Sequence, residues 1–373
     1  MMNDTTAPSW YKLHDSSLTD SPALLVYRDR VAENLRRMVI IAGGADRLRP
    51  HVKTHKIPEV VLMHLEMGIS KFKCATIAEA EMLARCGARD ILLAYQPTGP
   101  KIERLLRLTW DFPAARFAVL VDDPGAASAI AAACKTQRSS LHVYLDLDLG
   151  MHRTGIAPGE AEALVHHILG LPLLKWAGFH AYDGHIRDSA FDVRKQRCDA
   201  AFVAVEQLRE RLESAGIPVP EIVAGGTPTF PVHALRGGVA LSPGTCVLWD
   251  GGYSRLLPDL DFLHAAVLLT RVVTKPAPDR LCLDLGHKSV AAENPHPRVY
   301  FFGMENVEFL GQSEEHLIIS CAKRDAWQIG DVVYGIPHHI CPTTALYESV
   351  SVVSEHRVAG SWRVLARDRS IGV

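Results

Sequence analysis

Between residues 23 and 245 the chain keeps changing its hydrophobic period. Short β-rich runs close on polar residues or glycine, and stretches with apolar residues every three or four positions follow them. The runs are "ALLVY" (23–27), "LRPHVK" (48–53), "KFKCAT" (71–76), "ILLAYQ" (91–96), "RFAVLVD" (116–122), "LHVYLDLD" (141–148), "KWAGFHAY" (175–182) and "EIVAGG" (221–226). In "RDRVAENLRRM", Val31, Leu35 and Met38 mark one helix face. "TIAEAEMLARCG" opens on Thr76 as an N-cap, has Glu79 three residues on, and stops at Gly87. "FVAVEQLRERLESAG" lines up Val205, Leu208 and Leu212 and ends at Gly216. Eight strand–helix alternations are the count of a closed (β/α)8 barrel. The expected fold class is therefore α/β, a TIM-type barrel over residues 23–250; a doubly wound open sheet is the alternative.

Past residue 250 the texture changes. "HAAVLLTRVVTK", "RLCLDLG", "VYFFGMENVEFLG", "HLIISC", "DVVYGIP" and "SWRVLARD" are β-rich runs broken by turn residues, with few helical patterns. They predict an antiparallel β domain over residues 251–373, with residues 1–22 as an N-terminal segment packing on it. Apolar residues make up 48% of the chain, enough for a sizeable core. Lys and Arg number 40 against 42 Asp and Glu, which argues against a nucleic-acid partner and against a polybasic membrane surface. No unbroken apolar run reaches the roughly 18 residues of a spanning helix. The start, "MMNDTTAPSWYKLHDSS", lacks the apolar core of a signal peptide. Eight cysteines without a CxxC spacing are expected to be reduced thiols in a cytoplasmic protein.

In such a barrel, chemistry gathers at the C-terminal ends of the strands. The second run ends in "LRPHVKTHKIP", where His51, Lys53 and His55 alternate with Val52 and Thr54. If extended, the three basic groups project together, and nearby like charges lower a lysine's proton affinity. A lysine that gives up its proton is a nucleophile. The sixth run ends in "DLDLGMHRTG", offering Arg153, and the seventh in "HAYDGHIRD", offering His180, Tyr182, Asp183 and His185. "AGGTPT" (224–229) and "LSPGT" (241–245) offer glycine amides and threonine hydroxyls to an anion. A nucleophilic lysine, an arginine, an aromatic ring and a phosphate cradle at one mouth form the set that pyridoxal 5′-phosphate requires. In the β domain, "GIPHHICPTTALY" places His339 and Cys341 two apart; on a strand both face one way, and imidazole with thiolate suits zinc. His338 faces away on that reading.

"RPHVKTHK", "DLGMHRTG", "AYDGH", "AGGTPT", "PGT", "DLGHKS", "SEEH" and "HHICPT" follow one another as in the D-threonine aldolase and D-serine dehydratase group of alanine-racemase-like enzymes. The resemblance spans nearly the whole chain. It implies a pyridoxal-phosphate barrel, a β domain, a divalent metal (zinc or manganese) and a homodimer. Carried over by position, Lys53 resembles the Schiff-base lysine, with His51 beside it. Arg153 matches the contact to the cofactor's phenolic oxygen, and Tyr182 the ring packed on the pyridine. Gly225, Gly226, Thr227, Gly244 and Thr245 match the phosphate contacts, and His339 and Cys341 the metal pair. Racemases of the superfamily carry an arginine two residues before the glycine of the "PG" step, where this chain has Ser242. H-x-C at the metal resembles the dehydratases; "AYDGH" resembles the aldolases.

The implied activity is a lyase acting on β-hydroxy-D-amino acids. D-threonine aldolase is the first reading, with His185 as the base for cleavage. D-serine or D-threo-3-hydroxyaspartate dehydratase is the alternative. Amino-acid racemase, needing a second base such as Tyr347, and a non-catalytic pyridoxal-phosphate-binding protein are further ones.

Overall fold

The computed structural model describes residues 9–373. Residues 1–8 of the expected N-terminal segment lie outside the described residues. The chain divides into two compact units. One gathers Leu35–Cys246, Leu256–Leu260 and Leu365–Val373; the other takes the chain up to Asn34, Val247–Arg255 and Asp261–Val364.

In chain order the strands of both units are β1 (Ala23–Tyr27), β2 (Lys71–Cys74), β3 (Asp90–Leu93), β4 (Arg116–Val121), β5 (Leu141–Asp148), β6 (Leu174–Tyr182), β7 (Glu221–Ala224) and β8 (Val239–Leu241), then β9 (Ala266–Ala277), β10 (Arg280–Leu283), β11 (Val299–Phe301), β12 (Glu308–Gln312), β13 (Leu317–Ser320), β14 (Val332–Pro337), β15 (Ser349–Ser354) and β16 (Arg357–Arg363).

The first unit is the α/β body. A seven-stranded sheet runs in sequence order from β2 to β8, every neighbouring pair parallel. Residues 48–51 fill the gap between the two edges. Leu48 bridges Leu241 on β8, and His51 bridges Lys73 on β2. The amide of Arg49 donates to Leu241 O at 2.8 Å and that of Lys73 to Pro50 O at 2.9 Å, which carries backbone pairing around the ring. Inside it, Leu92, Ala118, Leu120, Tyr144, Ala177, Val223 and Ala240 pack together, residues from each strand from β3 to β8. Helices close as their caps dictate: Thr76 accepts the Glu79 amide at 3.1 Å, and Glu79 in return accepts the Ala75 amide at 2.6 Å.

Two expected barrel strands differ. "ALLVY" does form a strand, β1, but it pairs antiparallel with β9 and parallel with β15 in the other unit. A run of apolar residues buried on both faces suits the middle of either sheet, so its period does not say which. "LRPHVK" forms only the two bridges, then a 3-10 turn over Val52–Thr54. Pro50 has no amide to give a ladder. The closing strand is β8, which a three-residue run left without a sequence signal.

The second unit is built on a nine-stranded, mostly antiparallel sheet in the order β12-β13-β10-β9-β1-β15-β16, with β14 pairing β9 and β11 pairing β14. Leu13, Leu25, Tyr27, Val267, Leu269, Tyr334, Ile336 and Val353 form its core, and Trp10 and Tyr11 pack against them. All eight cysteines are free thiols. Among the described residues no helix is long and apolar enough to cross a membrane.

Candidate active site

The stave at residues 48–51 delivers its lysine to the barrel mouth. The imidazole of His51 accepts the Lys53 amide at 3.3 Å, which starts the 3-10 turn and leaves the Lys53 side chain exposed. Burial, then the charges of Lys53 and Lys73, push the His51 pKa well below the ordinary imidazole value, so the ring is neutral. The shared direction expected of His51, Lys53 and His55 does not hold. The turn at Val52–Thr54 breaks the pleat, and His55 is buried beside His64, their ring centroids 5.7 Å apart. Lys56 is taken up by an ion pair with Glu79.

Tyr182 ends β6, and Arg153 lies in the loop after β5 with its guanidinium 5.3 Å from the Tyr182 ring centre. Carboxylates hold that loop. Asp148 accepts the amides of Gly150 at 2.9 Å and His152 at 3.0 Å, and Asp122 accepts that of Gly155 at 2.8 Å. The Tyr182 ring meets Gly226 so closely that a Cβ there would lie 2.9 Å from it. His185 Nε2 lies 3.4 Å from where a Gly150 Cβ would stand, and its Nδ1 is buried with no hydrogen-bond partner.

The glycine–threonine loops converge. Thr227 Oγ1 accepts the amides of Gly244 at 3.2 Å and Thr245 at 3.1 Å. A Cβ on Gly244 would lie 3.2 Å from the carbonyl oxygen of His51, which ties the cradle to the lysine-bearing turn. Gly225 has φ +75°, a conformation that favours glycine. Thr229 Oγ1 accepts the Gly226 amide at 3.3 Å and donates to Asp183 at 2.6 Å. Behind it, Asp183, Cys198 and His233 bring three possible metal donors together, the only such group of three among the described residues. Their hydrogen bonds point elsewhere. Arg236 donates to His233 Nδ1 at 3.2 Å, so His233 Nε2 carries the proton and donates to Asp183 at 2.8 Å. Both nitrogens are committed, and burial followed by the Asp183 charge pushes the Cys198 thiol up to about 12. The cluster props up the Thr229 loop.

Exposed amine, guanidinium, aromatic ring and amide-rich cradle fit an anionic aromatic aldehyde phosphate. Neither Lys53 nor Arg153 forms an ion pair among the described residues.

In the β unit the expected metal pair, His339 and Cys341, is not on a strand. β14 stops at Pro337, His339 precedes the helix Ile340–Leu346, and Cys341 lies in its first turn. The imidazole and thiol still hydrogen-bond. Glu293 accepts from His339 Nδ1 at 2.5 Å, the orienting contact that metal-bound histidines usually have. This donor set fits a divalent ion such as zinc. Neighbouring Asp250 is buried, which pushes its pKa up to about 6, and it accepts the Ile340 amide at 3.0 Å. Glu293 and Asp250 carried no motif in the sequence. His338 shares a 2.8 Å hydrogen bond with Tyr300. The Tyr347 hydroxyl donates to Ser289 O at 2.8 Å, and burial raises its pKa, so it is a poor base.

A model of the family "Alanine racemase, N-terminal domain" matches residues 26–248, more than half of the chain. The chain belongs to that family. A second model, "Putative serine dehydratase domain", matches residues 265–353. A D-threonine aldolase from Arthrobacter sp. is 30% identical over 358 residues, 93% of each chain. A 3-hydroxy-D-aspartate aldolase from Paracoccus denitrificans (strain Pd 1222) is 28% identical over 369 residues, 95% of this chain and 94% of the relative. The crystal structure of D-threonine aldolase from Filomicrobium marinum superposes with a TM-score of 0.86 at 27% identity, covering 93% of this chain and 95% of that one. These relatives are lyases, and the family implies pyridoxal phosphate.

Sequence reasoning passed over Lys73. It lies on β2, is 2% exposed, and its Nζ is 3.4 Å from His180 Nε2 and 5.3 Å from the Tyr182 ring centre. Asp146 holds the other nitrogen of His180 at 2.7 Å. Burial, then the Lys53 charge, lowers the Lys73 pKa to about 7. The signal was present: lysine in the four-residue core strand of a parallel sheet is out of place.

Proposed function

We propose that this chain is a pyridoxal-phosphate- and divalent-metal-dependent lyase of β-hydroxy-D-amino acids that cleaves D-threonine to glycine and acetaldehyde. The observation that carries cleavage is His185, an imidazole whose Nε2 stands beside Gly150 in the loop that carries Arg153. An imidazole placed there suits a base that takes the proton of a β-hydroxyl. The named activities of the two aldolase relatives support the same choice.

Bound pyridoxal phosphate supplies an electron sink for the pair released when a bond to Cα breaks. Lys53 would hold the cofactor through its aldehyde carbon. Arg153 would orient the phenolic oxygen, and Tyr182 would pack on the ring. Gly225, Gly226, Thr227, Gly244 and Thr245 would hold the phosphate. His339 and Cys341 would hold the metal, whose chemistry there is Lewis-acid polarisation of an oxygen.

Dehydration of D-serine or D-threo-3-hydroxyaspartate is the second reading, favoured by Cys341 and by the family match of the β unit. The test is to incubate the purified protein with D-threonine, D-serine and D-threo-3-hydroxyaspartate, with and without zinc or manganese, and identify products. Glycine with an aldehyde supports cleavage. A keto acid with ammonia selects dehydration; D-to-L exchange alone, or no turnover, rejects both lyases.

A further inference from the structure

Pyridoxal phosphate presents a phosphate ester, an aldehyde, a phenolic oxygen and, opposite the aldehyde carbon, a ring nitrogen. The glycine–threonine cradle, Lys53 and Arg153 answer the first three. The ring nitrogen is an acceptor with no partner in that set. Ser242 does not serve: it is 2% exposed, and its hydroxyl donates to Arg49 O at 3.0 Å. A donor without a matching acceptor stands in the same layer of the barrel. Lys73 is bridged through its backbone to His51, two residues before Lys53. The only hydrogen-bond partner of its ammonium among the described residues is His180. Asp146 binds Nδ1 of that ring, so Nδ1 carries the proton and Nε2 accepts from Lys73. Two ammonium N–H groups remain, inside the barrel, with no ion pair. A buried cation without an ion pair is costly and persists where something else needs it.

We propose that Lys73, aimed by His180 and Asp146, is the hydrogen-bond donor to the pyridine nitrogen. The inference rests on the reading of this mouth as the pyridoxal-phosphate site. Its consequence is local. Lys53, His51, Arg153, His180, Asp146 and Asp183 all face Lys73. A proton near the ring nitrogen is therefore shared with a group that titrates near neutrality, which a guanidinium never does.

The test loads pyridoxal phosphate labelled with 15N at the ring nitrogen into the wild-type protein, Lys73→Met, Lys73→Arg and Asp146→Asn. Borohydride reduction and peptide mapping first locate the cofactor. The expected result is attachment at Lys53 in all four. The ring-nitrogen resonance should move downfield, toward an unbonded pyridine, in Lys73→Met. It should move less in Asp146→Asn, where His180 loses its tautomer, and return in Lys73→Arg. If Lys73→Met does not fold, the Asp146→Asn shift decides. Attachment at Lys53 with resonances unchanged in Lys73→Met and Asp146→Asn overturns the role of Lys73 and leaves the cofactor site standing. No cofactor attachment in the wild-type protein overturns both.

Discussion

The two ends of the barrel treat the same residue type in opposite ways. Lys71 and Lys73 are two apart on β2, so both project to the same face. Lys71 meets Glu221 at 2.7 Å, and the same carboxylate takes Arg49 at 2.8 Å and the Tyr144 hydroxyl at 2.7 Å. Arg49, fully buried, also pairs with Asp90 at 2.7 Å. At the other end Lys73 has only an imidazole, and Lys53 and Arg153 form no ion pair among the described residues. Burial works to raise the Glu221 pKa, yet the Arg49 charge and the Lys71 hydrogen bond hold it at about 2. Lys73 is driven toward its neutral form instead, its pKa lowered to about 7. A cation matched by carboxylates closes the barrel. A cation left unmatched at the mouth is available to an anionic ligand.

Removing a matched cation should do the most harm. Arg49→Met takes from Asp90 and Glu221 their one fully buried partner, and breaking a buried pair by losing one partner is expected to cost about 3 kcal/mol in urea unfolding at pH 7. The pH dependence follows from Glu221. Its folded pKa, about 2, lies below the ordinary 4.5, so its contribution is complete above about 4.5 and is lost as pH falls toward 2. In Arg49→Met the acid limb of the stability curve should flatten.

Removing the unmatched cation should do the reverse. Lys73 has a folded pKa near 7 against an ordinary 10.5. Between those values the unfolded chain binds more protons, so stability rises with pH across the window. Lys73→Met should therefore stabilise the cofactor-free protein below pH 7, by an amount on the order of a few kcal/mol, each pKa unit being about 1.4 kcal/mol. The gain should fade as pH approaches 10.5, and melting curves at pH 6 and pH 10 read it out. A loss of stability at pH 6 would break the contrast between the two ends. The smallest effect belongs to Lys71→Met. Its side chain is 35% exposed, and Glu221 keeps Arg49, so the cost should stay under about 1 kcal/mol by the same unfolding assay.

Period and capping made much of this fold legible. Thr76 with Glu79 located a helix start to the residue, and Val31, Leu35 and Met38 are all fully buried. What escaped depended on partners far along the chain. β1 is apolar on both faces, so only its pairing with β9 and β15 places it outside the barrel. β8 is three residues long and is defined by β7. At the site, residues carried by glycine, threonine and histidine motifs were visible. Lys73, Asp146 and Glu293 are singled out only by neighbours contributed by other elements, and a single strand's spacing does not report those. The alternation argument for His55 failed because one 3-10 turn changed the direction of every side chain after it.

The central claim is that the amine at the barrel mouth, Lys53, carries the cofactor, while the buried Lys73 beside it does not. Borohydride reduction of the protein loaded with pyridoxal phosphate, followed by peptide mass mapping, tests this directly. The account predicts one phosphopyridoxyl group per chain, on the peptide at Lys53. Modification of Lys73, or none at either lysine, would contradict it.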